Sequence, residues 1–394
     1  MELQLKYFFQ LFARFLSQFF AFVVSVVIVR IAGVEVNGQY GAILAFLNLG
    51  FSVFASSIQT NYLRSGRAND FNIVTASTLV LCLISFPFIC FAAFLLKYDI
   101  ALLSIAVLQI LLINLFNIFS ALKRLQIRDI DIIIPGVLPY LVALIFLLSI
   151  KPQNAFSLLA IMSVSWSVII PFLIKEWNLN ISLFSIKKIK NYLIESSVIA
   201  GSIIFTQVFA NADILFIKQF LGDTQAGLYR IATSFSSIVM PFIGIFSFTY
   251  LSEIQPLIDQ NNLIAFKNKF RNQLIINITL GLTLFLFSIF VNPILIPFIY
   301  SQNATGAIDT SIALSVGVTT NVVAMVFSYT FLALKKERYL IPINGLAAFI
   351  NVACNFLFIR YFGIIGGAIS MIITFVFISM ACIFLLKRWR IFNI

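Results

Sequence analysis

Apolar stretches long enough to cross a bilayer follow one another along nearly all 394 residues of this chain, and that leaves it essentially one architecture. In hydrocarbon every backbone N–H and C=O must find its partner within protein, which only helices and closed barrels achieve. Uninterrupted apolar runs of 18 or more residues select helices. Composition agrees, with 61% apolar residues, 10% charged residues and 45 Phe, against roughly 45–50% apolar in a soluble domain. The expectation is an all-α polytopic membrane protein.

Charged and turn-forming breaks divide the chain into about twelve spans. They cover 7–29, 41–63, 73–96, 100–122, 132–150 and 155–174, then 197–217, 229–251, 273–294, 310–334, 340–359 and 363–386. The first is expected to be a retained span, being too long for a signal-peptide core and lacking a small-residue cleavage site. Pro135, Pro139, Pro293 and Pro297 crowd span ends, while Pro87, Pro139, Pro171, Pro241 and Pro342 interrupt spans and offer bends. The longest polar interruption, with Lys187, Lys188 and Lys190, separates two sets of six. This predicts an N-terminal six-helix bundle over 1–175, a cytoplasmic interfacial linker over 176–196 and a C-terminal six-helix bundle over 197–394.

Loop charge orients the spans, because cytoplasmic loops carry the excess of Lys and Arg. With the N-terminus inside, 19 basic residues fall at inside ends and 6 at outside ends, with Arg14 inside the first span. Both termini are therefore expected in the cytoplasm. The formal net charge of +12 needs no nucleic-acid partner, since anionic inner-leaflet lipid and the topology rule account for it.

One motif occurs twice. Gly33 to Tyr40 (GVEVNGQY) and Gly222 to Tyr229 (GDTQAGLY) both read Gly-x4-Gly-x-Tyr, 189 positions apart and each between the first and second spans of a set. The recurrence predicts a duplicated bundle whose halves start in the same direction, related by an axis along the membrane normal. Gly33, Gly38, Gly222 and Gly227 are expected to permit a tight outer turn. Tyr40 and Tyr229 are expected at the outer interface, where amphipathic aromatics belong.

Several chemistries are excluded. The chain has no histidine, which removes His-based metal sites, triads and proton relays. Cys82, Cys90, Cys354 and Cys382 all lie inside spans as small apolar groups. No Walker-type phosphate loop is present, and neither a metal nor another cofactor is expected. Short loops also argue against a membrane glycosyltransferase or polymerase.

The runs VRIAGVEVNGQYG (Val29 to Gly41), Leu63 with Arg64, NADILFIKQFLG (Asn211 to Gly222), AGLYRIA (Ala226 to Ala232) and YFGIIGGAIS (Tyr361 to Ser370) resemble the Wzx-type polysaccharide (O-antigen) flippases. That family shares a superfamily with the multidrug and toxic compound extrusion transporters. The resemblance implies twelve helices in two six-helix bundles around a V-shaped central cavity, in the bacterial inner membrane. It implies passage of an undecaprenyl-diphosphate-linked oligosaccharide, an O-antigen, capsule or exopolysaccharide repeat unit, from the inner to the outer leaflet. Polysaccharide polymerase and assembly proteins would be partners, and a proton or cation is a possible source of coupling.

Such a cargo needs cations for phosphate and amides or hydroxyls for sugar. Arg14 and Asp213 lie well inside the first and seventh spans, where a charge costs roughly 2.5–3.5 kcal/mol and marks a functional candidate. Gln10, Arg14 and Gln18 share a helix face; Arg14 either meets phosphate there or snorkels to the inner interface. Asp213, beside Asn211, either binds a coupling proton or cation, forms a structural ion pair or faces solvent. Asn48, Ser52, Ser56 and Gln59 are expected to line the cavity from one face of the second span. Asn344, Asn351 and Asn355 on the eleventh are expected to serve packing, and Asn114 and Asn117 on the fourth suit either role. Arg30, Arg64, Lys218 and Arg230 are either basic mouths of the cavity or interfacial anchors. Two other functions stay open: a cation-coupled exporter of small organic molecules, and a membrane enzyme of polysaccharide assembly.

Overall fold

A computed structural model describes residues 2–65, 70–95, 100–126, 128–176, 186–237, 250–251, 253–260 and 262–388. Its regular elements are helical throughout: α1 (Glu2–Leu47), α2 (Val53–Ser65), α3 (Phe71–Leu95), α4 (Ile100–Leu125), α5 (Ile133–Ile150), α6 (Ala155–Ser167) and α7 (Ile170–Glu176). There follow α8 (Ile186–Leu221), α9 (Asp223–Ser237), α10 (Leu263–Phe290), α11 (Asn292–Tyr300), α12 (Ile308–Ala333), α13 (Leu340–Phe362) and α14 (Ile365–Arg388).

Among the described residues nine helical stretches are long and apolar enough to cross a membrane. They reconcile with twelve expected spans. The stretch 15–51 is a pair of helices joined at Gly33, whose backbone is non-helical at φ 92°, ψ 168°. A shorter apolar helix, Phe71–Pro87, matches the third span, and most of the eighth lies outside the described residues, Pro241 with it. Prolines account for the shifted boundaries. α10 stops at Phe290 and a separate α11 begins with Pro293 in its first turn, because proline cannot donate to a continuing helix. The sixth span likewise breaks into α6 and α7, with Pro171 at the start of α7, and Pro342 lies in the first turn of α13, where its missing N–H costs nothing.

The chain divides into two compact units, Met1–Gln207 and Val208–Ile394, with the boundary inside α8. Each repeats one set of pairings. In the first, α4 packs on α2, α3 and α6, and α5 packs on α6. In the second, α12 packs on α9, α10 and α14, and α13 packs on α14. Helices that occupy equivalent places in the two halves of the sequence thus make equivalent contacts, which is the internal repeat seen as packing.

Buried aliphatic and aromatic side chains form the inner faces, including Ile28, Leu47, Leu147 and Leu158 in the first unit and Phe266, Phe331 and Ile378 in the second. Large apolar residues such as Ile134, Ile145, Phe298 and Phe349 remain exposed on the helices, as lipid-facing surfaces require. Buried amides tie helices together: Asn277 Nδ2 donates to the Val322 carbonyl at 3.0 Å and Asn292 Nδ2 to Ser311 Oγ at 2.9 Å.

Lys123 gives the first unit a buried charge. It sits in the last turn of α4, only 3% exposed, with Nζ 2.6 Å from Glu176 of α7 and 3.8 Å from Asp131. Removing one partner of such a pair strands the other. Lys123→Ala is expected to destabilise the fold by about 3–5 kcal/mol, read as a lower melting temperature in detergent, and Glu176→Gln added to it should restore part of the loss.

Candidate functional site

Gly33 and Gly222 adopt nearly the same left-handed backbone, φ 92° and 90°, which residues with a Cβ resist. Gly222 receives the last turn of α8, its N–H donating to the Lys218 carbonyl at 3.0 Å, and its own carbonyl accepts from Ala226 to start α9. The motif therefore makes a corner with its first glycine alone. Gly38 and Gly227 lie inside helices, and the described positive-φ glycines do not include them. This corrects the expectation that all four shape the turn.

The tyrosines correct a second expectation. Seven residues past the corner is about two helical turns, so Tyr40 and Tyr229 are carried into the helix packing and are 2% and 1% exposed. Both rings face neighbouring helices rather than solvent or lipid. Each hydroxyl instead has a polar partner: Gln109 Nε2 of α4 donates to Tyr40 Oη at 2.7 Å, and Tyr229 Oη donates to the Asp213 carboxylate. The other Asp213 oxygen accepts from the Ile214 N–H at 2.9 Å. Asp213 is thus a half-buried carboxylate bonded to the motif tyrosine of its own half, with Asn211 half-buried nearby.

The Tyr229 ring lies against Gly367 of α14. On that helix Gly367, Ser370 and Thr374 share a face, and the face carries a buried polar seam. Asn355 Nδ2 donates to Asn351 Oδ1 at 2.9 Å, Asn351 Nδ2 to Thr374 Oγ1 at 3.1 Å, and Thr374 Oγ1 to the Ser370 carbonyl at 2.7 Å. The Asn355 carbonyl oxygen is buried with no partner among the described residues. Asn351 therefore joins α13 to α14, with Asn355 bonded to it along α13; Asn344 is half-buried.

On the second span, Asn48 to Ser52 form a π-helical turn, whose wider i→i+5 bonding shifts the four-residue spacing expected to align Asn48, Ser52, Ser56 and Gln59. Gln59 Nε2 donates to the Asn117 carbonyl at 2.9 Å, so its amide ties α2 to α4. Asn48 and Ser56 are half-buried, as are Gln18 on α1 and Arg230 on α9, while Arg30 is exposed. Gln10 and Arg14 lie on α1, Ser52 in the π-turn and Arg64 in the last turn of α2; their side chains fall outside the described residues.

The basic run Lys187 to Lys190 is helical, at the start of α8. Beside it, a cavity of about 320 Å³ is lined by Asp70, Ile73, Lys188, Asn191, Tyr192 and Glu195. Burial raises the Tyr192 hydroxyl above its ordinary pKa, with the charge of Asp70 adding to the effect. Two carboxylates against one lysine make this cavity unsuited to a diphosphate. Among the described residues no group of three or more acidic or cysteine side chains is placed to hold a metal ion.

Sequence reasoning missed Gln109, Lys123 and Thr374 as polar partners. Their signal was weak, because a polar residue inside an apolar run does not announce which distant helix it meets.

No protein-family profile and no curated protein sequence matches the chain. Solved structures do match it in fold. A lipid II flippase, MurJ, in an inward closed conformation is 17% identical and superposes with a TM-score of 0.74 over 95% of this chain and 87% of its own. An inward-facing multidrug resistance MATE family transporter of the MOP superfamily is 14% identical, with a TM-score of 0.67 over 95% of this chain and 94% of its own. A MOP superfamily transporter from Pyrococcus furiosus is 13% identical, with a TM-score of 0.65 over 98% and 94%. The chain has the fold these proteins share.

Proposed function

We propose that this chain is a flippase that moves an undecaprenyl-diphosphate-linked oligosaccharide, an O-antigen, capsule or exopolysaccharide repeat unit, from the cytoplasmic to the outer leaflet of a bacterial inner membrane. The observation that carries this reading is the fold of a lipid II flippase along 95% of the chain. The two bundles alternate access, and the headgroup passes through protein while the polyprenyl tail stays in lipid. Both termini lie in the cytoplasm, and the outward-facing product is handed to polymerase and assembly proteins.

The work falls to polar groups that the hydrocarbon would otherwise exclude. Arg14, on the face shared with Gln10 and Gln18, meets the diphosphate through charge-assisted hydrogen bonds. Arg64 and Arg230 assist at span ends, and Asn48, Ser52 and Ser56 offer sugar contacts. Arg14→Ala is expected to abolish transport at normal membrane levels, while Arg14→Lys keeps a measurable fraction, as judged by glycan export in a complemented deletion strain. Parental export by both variants would remove Arg14 from the mechanism.

The decisive experiment deletes the gene in its host and locates the lipid-linked glycan. Complete single repeat units accumulating on the cytoplasmic leaflet support the flippase. Unpolymerised units facing outward would assign the chain to polymerisation or ligation instead. A second reading, a cation-coupled exporter of small organic molecules, is favoured by one observation, the half-buried Asp213 carboxylate; unchanged glycan with raised drug sensitivity would establish it.

A further inference from the structure

The last two turns of α13 read FLFIRYF, 356–362, and their arginine is held by aromatic rings. Arg360 lies four residues beyond Phe356, on the same helix face. Its guanidinium carbon is 4.0 Å from the centre of the Phe356 ring and 4.4 Å from that of Phe220 on α8. The two rings meet at 5.7 Å and 75°, and Phe216 extends the cluster from one turn earlier on α8, 5.7 Å from Phe220. The cation is therefore held between two rings set nearly at right angles, so at most one of them can lie against its face. A guanidinium has five N–H donors around its edge. Among the described residues neither a hydrogen bond nor an ion pair occupies that edge, and the acid at the adjacent corner, Asp223, faces Lys218 at 3.3 Å.

Depth identifies the partner. Phe220 is one residue from the end of the apolar stretch 203–221, and Arg360 is two residues from the end of 337–362. Both helices end at left-handed glycines, Gly222 and Gly363, so the aromatic clamp sits where two spans leave the hydrocarbon together. Tyr361, 80% exposed, and Phe362 flank it as interfacial aromatics do. Below the guanidinium, Phe356 and Phe349 continue an exposed apolar stripe at seven-residue spacing. A snorkelling arginine turns its head toward water; this one is pinned against rings, with open donors above an apolar track.

We propose that Arg360 is the headgroup contact of a phospholipid-binding site at the α8–α13 corner. It donates its N–H edge to the lipid phosphodiester while an acyl chain lies along Phe356 and Phe349. A charge-assisted bidentate contact of this kind is strong, and bound lipid ties the ends of α8 and α13 together without any further protein contact. The site is separate from cargo transport and stands whether the cargo is a lipid-linked glycan or a small molecule.

The test is native mass spectrometry of the full-length protein titrated with phosphatidylglycerol. The parent is expected to retain one lipid about tenfold more tightly than Arg360→Gln. Arg360→Lys, which keeps the charge but loses the planar fork of N–H donors, should fall between them. Equal retention by all three proteins would overturn the proposal. So would displacement of the lipid by inorganic phosphate at equal concentration, which would indicate a free-anion site, or by undecaprenyl diphosphate, which would assign the corner to cargo. Because Arg360 is exposed, the Gln variant should keep the parental melting temperature in lipid-free detergent; if it does not, the Lys variant decides.

Discussion

Gly366→Val is expected to leave almost no folded protein. After Gly363 turns the chain at φ 63°, α14 starts back along α13, and Gly366 is the point of closest approach. A Cβ built there would overlap the carbonyl of Phe358 and the N–H of Ile359, which are backbone atoms of the neighbouring helix. Side chains can rotate away from an added methyl group, but a hydrogen-bonded backbone cannot. Ser370 and Thr374 continue the same face with small residues, the pattern that lets membrane helices pack closely. Ordinary core overpacking costs about 1–3 kcal/mol; forcing two backbones apart along this pair is expected to exceed about 4 kcal/mol, within reach of a whole domain's stability. Size-exclusion profiles of tagged protein measure it. Gly201→Ala is the matched control, since a Cβ there meets nothing within 4 Å. A monodisperse parental peak for Gly366→Val would show that the close approach is dispensable.

Asp213→Asn is expected to reduce ion-driven transport to background while preserving membrane levels, because the amide can still accept the Tyr229 hydrogen bond but cannot carry a charge. Tyr229→Phe separates the two roles. It removes a hydrogen bond to a charged group, worth about 1.5–3 kcal/mol of stability, and leaves the carboxylate in place. Transport measured in vesicles under an imposed proton or sodium gradient distinguishes them. Loss in Asp213→Asn with substantial activity in Tyr229→Phe assigns coupling to the carboxylate. Equal, near-parental rates in both would reduce the pair to a structural tie between α8 and α9.

The architecture was legible because a bilayer reduces folding to few choices: apolar run length marks spans, and a repeated glycine marks the corner at each Gly33-type position. What the sequence did not show was the third dimension. Tyr40 and Tyr229 are placed correctly along the chain by the motif, yet whether they face lipid, water or another helix depends on rotation about the helix axis. Gln59, expected to line a cavity, also ties α2 to α4, a contact that its spacing does not signal, and the π-turn at Asn48–Ser52 shifts the register of that span. Lys123 looked like one more basic residue at a span end. Its partner Glu176 lies 53 positions away, a separation at which no local pattern signals pairing.

The two motif tyrosines are not chemically equivalent. Tyr40 is bonded to an amide, Gln109, and Tyr229 to a carboxylate. The two partners come from different positions in the repeat, Gln109 from α4, the fourth span of its set, and Asp213 from α8, the first span of its set. If coupling runs through this pair, Asp213 carries the charge and Tyr229 holds the carboxylate in place. Gln109→Glu would then set a second carboxylate against a motif tyrosine, from a different helix of the repeat.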